Sequence, residues 1–401
     1  MNKVIEEPIQ ELTTQQDRII GHIQGKKPGP TLLFFGGIHG NEPSGVLALQ
    51  TVLKELQNSS IEFAGNSYAI AGNLWALQQN VRYDKEDLNR LWTAENIAHI
   101  ERGDWPMINN DRKELVDIYR LIQSILEQEE GPFYFIDLHT TSSETIPFIT
   151  INDSLLNRKF TGEFPVPVIL GIEEYLDGPL LSYINELGYV AFAFEAGKHE
   201  DPVSVERHKA FVYLSMVRAG FLEEKDIDFR HYFELLAGVS VGSRNMYEIF
   251  FRYWIQDDEQ FTMQPGFVNF QRISKGTLLA QSNGQPIHAS YSARVFMPLY
   301  QSQGRDGFFA IRPIPALFLK ASIYLRKFKF DQFLTWLPGI RWSNDKKDTL
   351  IVNKRITRFL AREIFHLLGY RSRRRDRDHW IMSAREAASR DDEYRGSRWM
   401  K

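Results

Sequence analysis

Between Thr31 and about Phe211, short apolar runs rich in β-branched and aromatic residues alternate with longer stretches of helical period, and this alternation leaves few folds open. The runs at 31–35, 67–71, 133–139, 166–170 and 189–195 read as strands; 44–56, 112–128 and 203–217 read as helices. Several of the strand runs are apolar almost without interruption, which suits parallel strands covered on both faces. The expected fold class is therefore α/β, a mixed sheet flanked by helices. At 401 residues the chain is long for one core and suggests two or three units. A composition of 43% hydrophobic and 25% charged residues supplies that core and argues against global disorder.

The texture changes along the chain. From about 235 to 313 it breaks into short strand-like pieces separated by turn residues such as Asn283-Gly284, the pattern of a small all-β domain. From Ile314 on it becomes aromatic and basic, with an expected helix at 356–368 and the run Arg371-Ser372-Arg373-Arg374-Arg375-Asp376-Arg377-Asp378. The expected organisation is a catalytic domain over 1–230, a β domain over 231–313, and a basic, largely helical extension over 314–401 whose polar tail is the part expected to be disordered. The N-terminus has no apolar core of the secretory kind, and no run reaches the ~18 apolar residues of a spanning helix, so a cytoplasmic address is expected.

The chain has no cysteine, which excludes disulfides, thiolate nucleophiles and Cys-type metal sites. A metal would have to sit on His, Asp and Glu. In Phe34-Phe35-Gly36-Gly37-Ile38-His39-Gly40-Asn41-Glu42-Pro43 a histidine and a carboxylate stand three residues apart in a Gly-bounded turn after a strand. The helix that follows carries Val46, Leu49, Val52, Leu53 and Leu56 at one-face spacing and accepts Pro43 in its first turn. Glu42 thus lies near a helix N-terminus, where its ionised form is favoured. His139 ends the strand Tyr134-Phe135-Ile136-Asp137-Leu138-His139, and His39, Glu42 and His139 together suit a catalytic zinc with one position left for water. Loops beyond strand C-termini are where open α/β sheets place their sites. Under two-residue alternation Asp137 shares a side with His139 and is a natural acceptor for a ligand imidazole. Taken alone, the two histidines read equally well as an unrelated loop residue and strand-end residue.

Two further clusters fit the same chemistry. In Arg82-Tyr83-Asp84-Lys85-Glu86-Asp87-Leu88-Asn89-Arg90-Leu91-Trp92, a guanidinium suits an oxyanion, and an Asn-Arg pair suits a substrate carboxylate. A solvated charged loop is the plain alternative. In Phe192-Ala193-Phe194-Glu195-Ala196-Gly197-Lys198-His199 a carboxylate emerges from an apolar strand, whose surroundings would raise its pKa toward general-base use. A salt-bridged strand-end glutamate is the alternative there.

In order and context, Gly37-Ile38-His39-Gly40-Asn41-Glu42-Pro43, Asp87-Leu88-Asn89-Arg90, Asp137-Leu138-His139-Thr140-Thr141 and Phe194-Glu195-Ala196-Gly197 resemble the aspartoacylase and succinylglutamate desuccinylase family of zinc-carboxypeptidase-like deacylases. The resemblance spans roughly residues 30–313 and includes the β-rich stretch. It implies a zinc-carboxypeptidase-like sheet and one zinc per chain on His39, Glu42 and His139. It also implies that Glu195 activates the attacking water and then protonates the leaving amine. Arg82, eight residues before Arg90, would polarise the scissile carbonyl, and Asn89 and Arg90 would take a substrate carboxylate. Tyr300 is a candidate for the tyrosine that the β domain supplies, and Ser142, Lys198 and His199 are further candidates to line the pocket. The implied reaction is hydrolysis of the amide of a small N-acylated amino acid or related metabolite.

One departure bears on the substrate. Aspartoacylases carry an arginine about ten residues before the catalytic glutamate; here that place falls near Asn185, and no arginine occurs between Arg158 and Arg207. Acyl-aspartate specificity is therefore not expected. Other readings of the same residues are a metallocarboxypeptidase for short peptides and a zinc-retaining binding or regulatory protein. The basic extension would attract an anionic membrane, nucleic acid or an acidic subunit surface, or would pack on the body with its arginines solvated. A homo-oligomer is compatible with all of these.

Overall fold

The computed structural model describes residues 17–240, 245–353, 362–374 and 379–401. The chain divides into two compact units: one comprises the chain up to Pro147 with Gly178–Leu180 and Ala193–Val239, the other Phe148–Asp177, Leu181–Phe192 and the chain from Ser240.

In the first unit the strand Lys27–Gly36 lies between Ala64–Ala71 and Phe133–Thr141, parallel to both, with Leu33 opposite Tyr68 and Phe35 opposite Asp137. Ile19–Gln24, which the sequence pattern did not announce, closes the outer edge antiparallel to Ala64–Ala71. Leu32, Leu33, Phe34 and Phe35 are at most 1% exposed, the two-sided burial that their continuous apolar run requires. Helix Ser44–Gln57 turns Val46, Leu49, Val52, Leu53 and Leu56 inward, each such side chain contributing about 1.5–3 kcal/mol on burial. Because Lys27–Gly36 and Phe133–Thr141 are parallel and in register, their C-terminal ends emerge side by side, carrying the turn after Gly36 next to His139. That turn depends on glycine: Gly37 has φ +75°, and a Cβ on Gly40 would collide with the Ala76 carbonyl.

In the second unit Phe148–Ile151, Val168–Leu170 and Met246–Trp254 run parallel in that order, and Asp306–Pro313, Ala293–Phe296 and Arg272–Ile273 continue the sheet antiparallel. Phe261–Met263, Leu278–Ser282 and Gln285–His288 form a separate antiparallel sheet. The β texture expected over 235–313 is present, but pairing of Met246–Trp254 with Val168–Leu170 ties it to earlier strands. The compact units therefore cut the chain differently from the boundaries at 230 and 313.

The extension is not largely helical. Ala316–Lys327 is a helix, but Ile340–Trp342, Thr349–Asn353, His379–Ala384 and Tyr370–Arg374 form a four-stranded antiparallel sheet in that order. Leu334, Ile340, Leu350, Val352, Phe365, Tyr370 and Met382 are its core. Leu350-Ile351-Val352 and Trp380-Ile381-Met382 are short β-branched and aromatic runs whose strand preference the surrounding charge conceals. The helix expected at 356–368 is seen as Arg362–Leu367, and 354–361 and 375–378 lie outside the described residues. The tail, expected to be disordered, buries Tyr394 completely and sets Trp399 edge-on to Phe160 at 5.1 Å.

The extension's arginines are not simply solvated either. Arg326 donates to Asp153 Oδ2 at 2.9 Å and to Glu386 Oε1 at 3.0 Å. Arg385 reaches Glu173 at 2.8 Å, Glu174 at 2.5 Å and Asp153 at 3.3 Å. Arg158, on helix Leu155–Thr161, chelates Asp153, its Nη2 lying 2.8 Å from Oδ2.

Candidate active site

His39, Glu42 and His139 converge where the parallel strands of the first unit end. All three are buried, and one ligand-capable atom from each lies within 4.8 Å of the others. Glu42 is the hub: Oε1 lies 2.9 Å from His39 Nδ1 and Oε2 lies 3.0 Å from His139 Nδ1, while the Thr140 backbone N–H donates to Oε2 at 2.9 Å. Each imidazole has a second carboxylate behind it, His39 Nε2 at 3.1 Å from Asp87 Oδ1 and His139 Nε2 at 2.6 Å from Asp137 Oδ2. Asp137 thus occupies the place that strand alternation gives it.

Arg82 spans the cluster, 3.4 Å from Glu42 Oε1 and 3.3 Å from Asp87 Oδ2, and its carbonyl accepts the Gly40 N–H at 3.2 Å. Asp87 also caps the short turn Leu88–Arg90 by accepting the Asn89 N–H at 2.9 Å. Asn89 turns Oδ1 to the Leu180 N–H at 2.9 Å, which leaves Nδ2 on the side of His139, 3.5 Å from Nε2. Arg90 donates to the Asn89 carbonyl at 2.8 Å. His199 places Nδ1 2.8 Å from Thr140 Oγ1.

Charge is strongly polarised here. Burial opposes ionisation of Glu42, yet His39 and His139 hold its carboxyl well below the usual range. Asp87, also against burial, is held well below its usual value by His39, Arg82 and Arg90. Glu195 goes the other way: burial pushes its carboxyl well above the usual range, and Glu42 and Asp137 add to that against His139 and Arg82. Lowered carboxyls at Glu42 and Asp87 beside a raised one at Glu195 suit acid–base chemistry.

The donor set fits a divalent metal. Two imidazoles and one carboxylate leave a coordination position open, and a carboxylate behind each imidazole is the arrangement that orients metal-binding histidines. Glu195 Oε2 and Asp137 Oδ1 are buried with no hydrogen-bond partner among the described residues, each a cost of about 1–3 kcal/mol without further ligation.

Sequence reasoning missed His208 and Ser44. His208, on the inner face of helix Pro202–Ala219, lies 3.1 Å through Nε2 from the His139 carbonyl and accepts the Ser44 hydroxyl on Nδ1 at 3.2 Å. Burial pulls its pKa down to about 3, so the ring is neutral and donates one bond while accepting the other. No local motif announces a contact spanning 164 residues; burial on a helix face was the one available signal. Asp87 was legible as part of a motif but not as the partner of His39.

Tyr300 belongs to the second unit, where its hydroxyl donates to the Gln264 carbonyl at 2.7 Å and accepts the Phe267 N–H at 3.0 Å. Asn185, also in that unit, is committed structurally: Oδ1 accepts from Asn157 at 2.7 Å and Nδ2 donates to the Tyr189 and Ala191 carbonyls, both at 3.2 Å.

The strand ends of the first unit's parallel sheet thus carry a buried His-Glu-His cluster that could hold a metal ion. Residues 28–215 match the family model described as succinylglutamate desuccinylase/aspartoacylase catalytic domain. The succinylglutamate desuccinylase of Pseudomonas aeruginosa (strain LESB58) is 25% identical over 278 residues, 65% of this chain and 77% of the relative. That of Pseudomonas syringae pv. tomato is 23% identical over 287 residues, 69% and 80% of the two chains. Among solved structures, the succinylglutamate desuccinylase/aspartoacylase of Rhodobacter sphaeroides superposes with a TM-score of 0.54 at 14% identity, covering 73% of this chain and 88% of the other. The succinylglutamate desuccinylase of Chromobacterium violaceum gives 0.52 at 15% identity, with 72% and 86% covered. These structures share the fold.

Proposed function

We propose that the protein is a zinc-dependent amidohydrolase that cleaves the amide of a small N-acylated amino acid or related metabolite. The observation that carries this reading is the buried convergence of His39, Glu42 and His139 beside a Glu195 whose carboxyl has a raised proton affinity and an unsatisfied oxygen. Zinc held by His39, Glu42 and His139 would supply Lewis-acid polarisation of the amide carbonyl and acidify water. Asp137 and Asp87 fix the orientation of the two imidazoles through Nε2. Glu195 takes the proton from the attacking water and returns it to the leaving amine; its raised proton affinity favours accepting that proton. Arg82 is the cation available for the developing oxyanion. Asn89, with Oδ1 already engaged by Leu180, offers Nδ2 to a substrate carboxylate, and Arg90 provides its charge. Tyr300 is assigned to substrate contact on the family resemblance alone.

The substrate class follows from what Asn185 does. Its amide is spent inside the second unit, and it is neutral, so it supplies no cation for a second substrate carboxylate. The preferred substrate therefore differs from acetylaspartate. A screen of N-acyl amino acids beside C-terminally free dipeptides tests this: turnover of acyl amino acids is expected, and cleavage of dipeptides alone would replace the deacylase reading with a carboxypeptidase one.

A further inference from the structure

The helix Ala316–Lys327 is inside out. Its inner face is polar: Ser322 is 2% exposed and donates to the Leu367 carbonyl at 2.8 Å, and Arg326, one turn on, is buried against Asp153 and Glu386. Its outer face is apolar: Leu317, Tyr324 and Phe328, spaced seven and four residues apart, are 75%, 63% and 71% exposed. The short helix Phe330–Trp336 continues the ridge. Phe330, Phe333 and Trp336 recur every third residue, which aligns them on one side of a 3₁₀ turn, with ring centroids 5.8 and 5.0 Å apart and Trp336 79% exposed. Seven of the seventeen large apolar side chains exposed among the described residues fall between 317 and 336. Surface helices in water bury such residues, and exposed apolar patches of this kind mark interaction sites.

The charge on the ridge selects the partner. Lys320, Lys327 and Lys329 are exposed among the aromatic residues, and Asp331, the single acid between 316 and 341, is taken by the Tyr370 hydroxyl at 2.7 Å. We propose that this ridge docks on an anionic lipid bilayer, lying in the interface with the aromatic side chains at headgroup depth and the lysines on the acidic headgroups. Trp, Tyr and Phe interleaved with Lys suit that boundary, where rings and methylene stems are buried and ammonium groups stay wet. At 12 residues the helix is about 18 Å long, and among the described residues no helix is long and apolar enough to cross a membrane, so the ridge rests on the surface. A second copy is a poorer fit, because the same positive ridge would face itself. Nucleic acid is also a poorer fit, because three lysines among seven apolar groups make few phosphate contacts.

Co-sedimentation of the full chain with vesicles tests this. Binding is expected to equimolar phosphatidylcholine and phosphatidylglycerol at low salt, and much less to phosphatidylcholine alone. Replacing Lys320, Lys327 and Lys329 by Gln should weaken binding roughly a hundredfold, about fivefold per lysine. Phe333→Ser with Trp336→Ser should weaken it at least about tenfold at unchanged turnover and circular dichroism. The proposal is overturned by no sedimentation at low salt, or by variants that bind like the parent. It is equally overturned by a solution dimer that the Phe333/Trp336 variant makes monomeric, or by duplex DNA displacing the vesicles.

Discussion

Two clusters of buried charge, one in each compact unit, hold four carboxylates apiece and resolve them differently. In the second unit Asp153, Glu173, Glu174 and Glu386 face Arg158, Arg326 and Arg385. In the first unit Glu42, Asp87, Asp137 and Glu195 face a bridging guanidinium, Arg82, two imidazoles and, near Asp87, Arg90. Guanidinium forks neutralise carboxylates permanently and tie the extension to the segment around Asp153, Glu173 and Glu174, a structural use of charge. Imidazoles and a deficit of cations leave places for a metal and a mobile proton. Burial and pKa displacement occur in both clusters, so neither marks function by itself; the donor types do.

Substitutions can break this contrast. The largest effect is expected for Glu195→Gln, which should lower turnover by about 10²–10⁴ while bound metal stays in place; unchanged turnover would remove Glu195 from the chemistry. Asp153→Asn should destabilise the second unit by about 3–5 kcal/mol in urea unfolding, because Arg158, Arg326 and Arg385 lose their shared partner. A loss below 1 kcal/mol would show that this cluster is not structural. Asp137→Asn should weaken metal affinity by about tenfold to a hundredfold in chelator competition, through loss of orientation at His139. The smallest effect concerns acid. The Asp153 carboxyl is held below its ordinary 3.8 by Arg158, Arg326 and Arg385 against burial, so its stabilisation is complete above that value and is lost as pH falls through the folded one. In Arg326→Met the folded value rises toward the unfolded one, so the stability lost between about pH 5 and pH 3, on the order of 1 kcal/mol in the parent, should be smaller in the variant. An identical pH profile in parent and variant would contradict the assignment.

What was legible in the sequence was local. The strands around Phe34 and Ile136 and the helix from Ser44 follow from patterns within ten to twenty residues, and all three appear with small changes at their ends. His39 and Glu42 share one turn and could be read together, and Asp137 and His139 share one strand face. Contacts that depend on the path of the chain were not legible. His208 meets Ser44 across 164 residues, and Arg326 meets Asp153 across 173. The extension misled for a related reason: its basic residues suggested an open cationic face, but the acids that bury Arg326 and Arg385 lie near residues 153 and 173, far back in the chain. With Arg326 and Arg385 turned inward, it is the aromatic side chains between 317 and 336 that face outward.

The central claim is that the cluster of the first unit is a zinc site. Metal analysis of the purified chain and of His39→Ala and His139→Ala tests it most directly. About one zinc per chain is expected in the parent, falling to a small fraction in both variants while their folded spectra persist. Full zinc retention in both variants, or a parent that takes up none after incubation with zinc, would contradict the account.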